Sequence, residues 1–321
     1  MTLKEGVVVR AVSGVYTVDD GERTVHCLLR GNLKKVLEFT ASPSGSKRVS
    51  RVRRLRTTDP IAVGDRVRFA ETRHGQGIIE EVLPRHSMFV RAGFRGMQHT
   101  VVSNIDQVMI VFACAEPRPD PWKLDRFLVA AELEGLAPFI IANKVDLVPE
   151  EEFRAQFEPF TSIGYAVIPA SAVRGDGVDE VRRILQNRIT AFVGPSGVGK
   201  SSLLNAIQPG LKLRTGEIGA ATHKGRHTTT MAQLIPLRFG GWVADTPGMR
   251  RFDLVHIDPE DLVYGFPEMV PLLGKCRFAD CQHIAEPDCA IRQAAESGTV
   301  QRRRYESYRI LHSELQQRPS L

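Results

Sequence analysis

The stretch Gly194-Pro195-Ser196-Gly197-Val198-Gly199-Lys200-Ser201 restricts the fold of this chain more than any other. Its spacing is G-x-x-x-x-G-K-S, and its flanks matter as much as its letters. The apolar run Ile189, Ala191, Phe192, Val193 enters it as a short buried strand, and helix-competent Ser202-Leu203-Leu204-Asn205-Ala206 leaves it. Strand, glycine turn and helix in that order make a phosphate-binding loop. The glycines let the backbone wrap a polyphosphate, and peptide N–H groups at the helix start supply positive potential. Lys200 is placed to reach β/γ-phosphates, and Ser201 to offer its hydroxyl to Mg²⁺. A glycine turn that binds nothing is the alternative, which the flanks disfavour.

A chain of 321 residues suits two or three domains, each with its own core. The opening Met1-Thr2-Leu3-Lys4-Glu5 leads into an alternating stretch, not a secretory apolar core. The longest apolar runs, such as 108–115, are too short to span a bilayer. Cytoplasmic residence without membrane association is therefore the expectation. A net charge of +6 hints at a polyanionic partner without identifying one.

Residues 1–85 read as all-β, with short strands at 6–10, 15–18, 25–29, 65–69 and 77–82 separated by Gly, Asp and Ser turns. Five such strands suit a small closed barrel of the OB or SH3-like type. Between two of them, six of the ten residues 47–56 are basic: Lys47, Arg48, Arg51, Arg53, Arg54 and Arg56. They are candidates for RNA phosphates, or a solvated charged loop. Residues 86–105 read as a linker with little regular pattern. From Asp106 strands and helices alternate: strands at 108–112, 138–142 and 165–168, helices around 124–133, 150–160 and 178–187. That is an α/β domain with a largely parallel sheet and its ligands at the strand C-termini.

Three further motifs select the base and sense the phosphate. Asn143-Lys144-Val145-Asp146 follows a strand directly. The Asp146 carboxylate can accept both N1–H and the 2-amino group of guanine, a donor pair adenine lacks, so discrimination of roughly 10⁴ is attainable. Asn143 would brace the loop, and the stem of Lys144 would lie along the base. Ser171-Ala172 follows the next strand, where the Ala172 N–H can meet guanine O6. Asp245-Thr246-Pro247-Gly248 follows the strand Trp242-Val243-Ala244, with Asp245 toward Mg²⁺ and the Gly248 N–H toward the γ-phosphate. The expected GTP contacts are Asn143, Lys144, Val145, Asp146, Ser171, Ala172, Gly194, Pro195, Ser196, Gly197, Val198, Gly199, Lys200, Ser201, Ser202, Asp245 and Gly248.

The order of these parts is circularly permuted. The base-reading motifs precede the phosphate loop, so the segment after Gly248 is attached directly to a part that moves when GTP becomes GDP. Mg²⁺ is expected on Ser201, Asp245 and a threonine of Thr229-Thr230. Met249 stands where many GTPases carry a water-orienting Gln. Either a partner completes the hydrolytic site or His227, on the loop ending Gly225-Arg226-His227-Thr228-Thr229-Thr230, positions the water, with Lys200 on the phosphates.

Of five cysteines, Cys27 and Cys114 lie in apolar surroundings and read as packed thiols. The other three join a histidine in Cys276-x₄-Cys281-x-His283-x₅-Cys289, a Cys₃His set suited to one structural Zn²⁺ ion. A helix follows over 300–315, and its Arg302-Arg303-Arg304 reads equally as an RNA contact or a solvated face.

Together these motifs, in this order, resemble the ribosome small-subunit-dependent GTPase A family, circularly permuted GTPases of late 30S assembly. The resemblance implies an OB-fold barrel (1–85), a linker (86–105), a permuted α/β P-loop GTPase domain (106–255) and a small zinc-binding helical domain (256–321). It also implies a monomer that binds the 30S subunit and its 16S rRNA with GTP and leaves as GDP, after slow hydrolysis that the subunit stimulates. A regulatory GTPase elsewhere, or an RNA-binding protein holding GTP as a structural ligand, is the alternative.

Overall fold

The computed structural model describes residues 3–30, 61–72, 75–92, 98–211, 232–245, 254 and 257–317, with backbone alone at 89–92, 98–101 and 245. Two compact units emerge: Met1–Gln107 with Val181–Phe192 and Ser201–Arg250, and Val108–Glu180 with Val193–Lys200 and Arg251–Leu321.

In the first unit, β1 (Lys4–Val12), β2 (Val15–Asp19), β3 (Thr24–Leu29), β4 (Arg66–Glu71) and β5 (Gly77–Val82) fall where alternation predicts strands. Their order is β1-β2-β3-β5-β4, and β4 pairs back onto β1, which closes an OB-like barrel. The period-2 pattern turns Val8, Val18, Val25, Cys27, Val67, Phe69 and Ile79 inward to one core. Burial pushes the Cys27 thiol up to about 12, as expected of a packed thiol.

Residues 86–105, expected to lack regular pattern, instead contain an antiparallel pair, β6 (Met88–Ala92) and β7 (Gln98–Ser103). Its anchor is remote in sequence. Asp65, wholly buried, accepts from Arg85 at 2.6 Å, from the Ser103 hydroxyl at 2.6 Å and from the Ala62 amide at 2.8 Å. Gly64 has φ +93°, and a Cβ there would lie 2.0 Å from the Ser103 carbonyl oxygen.

The remaining elements are β8 (Gln107–Ala113), α1 (Pro121–Leu133), β9 (Ala137–Asn143), α2 (Glu150–Thr161), β10 (Ala166–Ala170), α3 (Val178–Leu185), β11 (Ile189–Val193), α4 (Lys200–Ile207), β12 (Gln233–Pro236), β13 (Trp242–Asp245), α5 (Ala290–Glu296) and α6 (Arg302–Gln316). In the first unit β11 runs parallel to β13, β13 antiparallel to β12, and β12 meets β1 at Arg10↔Gln233. In the second unit the strand order is β10-β9-β8, with β9 and β10 parallel. No helix among the described residues is long and apolar enough to cross a membrane.

α1 starts cleanly: Asp120 caps the amides of Trp122 and Lys123, and Pro121 occupies the first turn. Leu124, Leu128 and Ala131 then face inward, and so does Asp125. Its partners lie on α6. Arg304 is fully buried and donates to Asp125 at 2.8 Å and to Glu268 at 2.7 Å, while Arg303 and Ser307 also donate to Asp125. Burial opposes the Arg304 charge, but the Glu268 and Asp125 carboxylates outweigh it and hold its pKa above the ordinary value. Arg303 also lies over the Phe160 ring at 4.9 Å. Of the three arginines, Arg302 is exposed, whereas Arg303 and the fully buried Arg304 tie α6 to α1. Asp125→Ala leaves Arg304 with Glu268 alone and takes the carboxylate from Arg303 and Ser307, so it is expected to lower stability by about 3 kcal/mol, read as an earlier urea-unfolding midpoint.

Candidate nucleotide site and metal centre

β11 is buried along its length and delivers the chain into the glycine loop. Gly194, Gly197 and Gly199 all have positive φ, at +138°, +82° and +91°. Two of them also face close neighbours. A Cβ on Gly194 would lie 2.2 Å from the Val111 carbonyl oxygen of β8, and one on Gly199 would lie 2.4 Å from Asn143 Nδ2. The Lys200 ammonium folds over the loop and donates to the carbonyls of Gly194 at 2.8 Å and Pro195 at 2.6 Å. Ser201 and Ser202 continue into the first turn of α4, with Pro195 half-buried, Ser196 exposed and Val198 buried.

Of the expected base-reading residues, Asn143 and Lys144 lie against this loop. Asn143, buried at the end of β9, donates from Nδ2 to the Val198 carbonyl at 2.7 Å. Lys144 takes a left-handed conformation (φ +62°), and its ammonium donates to the Glu116 carbonyl. Val145 is buried, and Asp146 sits half-buried in the 3₁₀ turn Val145–Leu147. One Asp146 oxygen accepts from the Ser171 hydroxyl at 2.6 Å, and Ser171 Oγ in turn accepts from the Arg174 amide at 3.1 Å. Ser171 is fully buried and Ala172 beside it is half-buried. A carboxylate oriented by one hydroxyl keeps lone pairs for two further donors, which suits it to a guanine edge.

One role and one element escaped the sequence. The Ser171 side chain orients Asp146, whereas the sequence suggested only a backbone contact from Ala172. Glu116 and Pro117 form a wall: the Glu116 carbonyl holds Lys144, and Pro117 Cδ lies 3.7 Å from where a Gly197 Cβ would be. A signal for this wall was hard to find, because backbone carbonyls leave no residue-type signature. Asp245 ends β13, opposite Gln233 of β12. His227, Thr229, Thr230, Gly248 and the basic stretch Lys47, Arg48, Arg51, Arg53, Arg54 and Arg56 lie outside the described residues.

Cys276, Cys281, His283 and Cys289 bring their ligand atoms within 4.8 Å of one another. His283 Nδ1 lies 3.5 Å from Cys276 Sγ and 3.4 Å from Cys289 Sγ, and those two sulfurs are 4.0 Å apart. Tetrahedral coordination with arms of zinc-site length would place sulfurs about 3.8 Å apart and sulfur and nitrogen about 3.5 Å apart. The donor set therefore fits a closed four-coordinate metal ion. The loop is braced from two sides. Glu286 accepts from the amides of Gln282 at 2.7 Å, Ile284 at 2.9 Å and Ala285 at 3.0 Å. Burial alone would raise its pKa; the amides hold it at about 2. From α6, the Tyr305 and Tyr308 hydroxyls donate to the carbonyls of His283 at 2.8 Å and Gln282 at 2.7 Å. Cys281→Ser, or exhaustive chelation, is expected to lower the thermal midpoint by on the order of 10 °C, measured by circular dichroism with and without added metal.

Comparison with known proteins agrees with this geometry. The sequence model of the RsgA GTPase family matches residues 82–255. A protein of Gemmatimonas aurantiaca named small ribosomal subunit biogenesis GTPase RsgA is 44% identical over 98% of this chain and 98% of its own length. One of the same name from Moorella thermoacetica is 42% identical over 95% of this chain and 94% of its own. Among solved structures, YjeQ from Thermotoga maritima superposes with a TM-score of 0.77 at 35% identity, covering 99% of this chain and 100% of that one. YloQ, described as a circularly permuted GTPase, gives 0.73 at 30% identity, covering 100% and 98%. With a closed OB-like barrel ahead of a permuted set of GTPase motifs and a Cys₃His cluster behind them, and with relatives this similar end to end, the chain belongs to the RsgA GTPase family.

Proposed function

We propose that the chain is a GTP hydrolase of late small-subunit maturation. It binds the 30S subunit and its 16S rRNA in the GTP state and leaves once the subunit has stimulated hydrolysis to GDP and phosphate. The observation that carries this is Asp146, aimed by Ser171 on a loop that Asn143 fastens to the phosphate loop. The names of the long, similar relatives supply the partner.

In this reading Asn143, Lys144, Val145, Asp146, Ser171 and Ala172 hold guanine, and Gly194 to Ser202 hold the phosphates. The Lys200 ammonium exchanges its two loop carbonyls for phosphate oxygens. Ser201, Asp245 and Thr229 or Thr230 complete the Mg²⁺ shell, and the Gly248 amide senses the γ-phosphate. Met249 offers nothing to orient water, so His227 or the bound subunit does so. The ion of the Cys₃His cluster is zinc, with a structural role only, since all four positions are filled by protein. Barrel (1–85), linker (86–105), GTPase domain (106–255) and zinc domain (256–321) divide the work. The basic residues of 47–56 meet rRNA phosphates, and the protein acts as a cytoplasmic monomer.

Phosphate release measured across a titration of purified 30S subunits tests the reading. Stimulation of about tenfold or more is expected; a rate indifferent to the subunit would overturn it. Asp146→Asn should shift preference from GTP to xanthosine triphosphate by about a hundredfold or more, measured by competition against labelled GDP. An unchanged preference would remove Asp146 from the base site.

A further inference from the structure

A groove of about 620 Å³ opens beside the metal loop, between α5 and α6. That volume is in the range of small-ligand sites. Its walls are mixed: Ile284 and Ala285 are apolar, Tyr305 offers an aromatic ring, and Arg302 and Arg309 bring positive charge. None of these residues belongs to the nucleotide site.

Tyr305 is fixed in place. Its hydroxyl is committed to the His283 carbonyl, and its ring stacks on Tyr308 at 20° with centroids 6.5 Å apart. Tyr305 itself lines the groove. Arg309, one helical turn further along α6, is exposed and makes no ion pair among the described residues. Arg302 has only an exposed pairing with Glu306 at 3.4 Å, which is weak and easily exchanged. Single-stranded nucleic acid is held by the same combination, an aromatic ring on which a base stacks and guanidinium groups that meet its phosphate.

We infer that this groove takes one unpaired RNA nucleotide, its base against Tyr305 and its phosphates on Arg309 and Arg302. The inference rests on the functional reading above, which supplies RNA as the partner. A duplex cannot enter, since its bases are stacked and paired and present no free face. An acidic peptide fits less well, since it would leave the Tyr305 ring unused.

The test uses the full chain with its metal, and an eight-nucleotide single-stranded RNA carrying 4-thiouridine. Crosslinks are mapped by mass spectrometry. The expected result is labelling within 284–309, reduced about tenfold by Arg309→Glu. Tyr305→Phe, which keeps the ring, should retain labelling, and Tyr305→Leu should lose it. Unchanged basal GTP hydrolysis shows that Arg309→Glu has folded. Labelling confined to other segments, indifference to Arg309→Glu, equal labelling by a duplex, or displacement by a polyglutamate peptide at matched charge would each overturn the inference. Subunit-stimulated hydrolysis, measured on the same preparation, separates the two readings. Stimulation without labelling of 284–309 retires the groove alone, and absence of stimulation retires the functional reading.

Discussion

The hydrogen bond from the Asn143 amide to the Val198 carbonyl is the contact on which the candidate nucleotide site depends. It fastens the end of β9 to the turn after β11, so a loop suited to a base and a loop suited to phosphates keep one spacing. Both groups are buried, and stranding either one costs about 1–3 kcal/mol, more than the bond itself contributes. The same amide accounts for Gly199, since a side chain there would collide with it. A glycine that reads from sequence as room for a phosphate is required equally by the protein's own asparagine.

Local patterns were the legible part of this chain. Barrel strands alternate with period two, the glycine loop 194–201 carries its own strand and helix, and the four residues of the Cys₃His cluster fall within a short span. Each signal is contained in a few residues. What stayed hidden depends on partners far away in sequence. The β6–β7 pair is held by Asp65, Arg85 and Ser103, which no local pattern links. β12 is four residues long and gains its identity only from β13 and β1. Arg303 and Arg304 look like surface charge until Asp125 and Glu268 are seen facing them. The Ser171 hydroxyl was invisible for a related reason, since its target lies twenty-five residues upstream.

Helix α6 connects two otherwise separate features. One side of it buries Arg304 and Ser307 against α1, and its tyrosines reach the carbonyls between the metal ligands. A knuckle with few apolar residues gains a rigid backing in this way, so its ligands are pre-set. The arginines that accomplish this add nothing to the field outside, because their carboxylate partners cancel them at close range. A formal charge of +6 therefore describes the surface poorly; position along the chain matters more than the total.

The junction of β1 with β12 has a mechanical consequence. Among the described residues a single rung, Arg10↔Gln233, joins the barrel to the strand beside β13, whereas the β1–β2 and β12–β13 ladders run several residues. A sheet bends most readily at its narrowest seam. Tension applied to the barrel by whatever it grips is thus concentrated next to the strand that ends at Asp245.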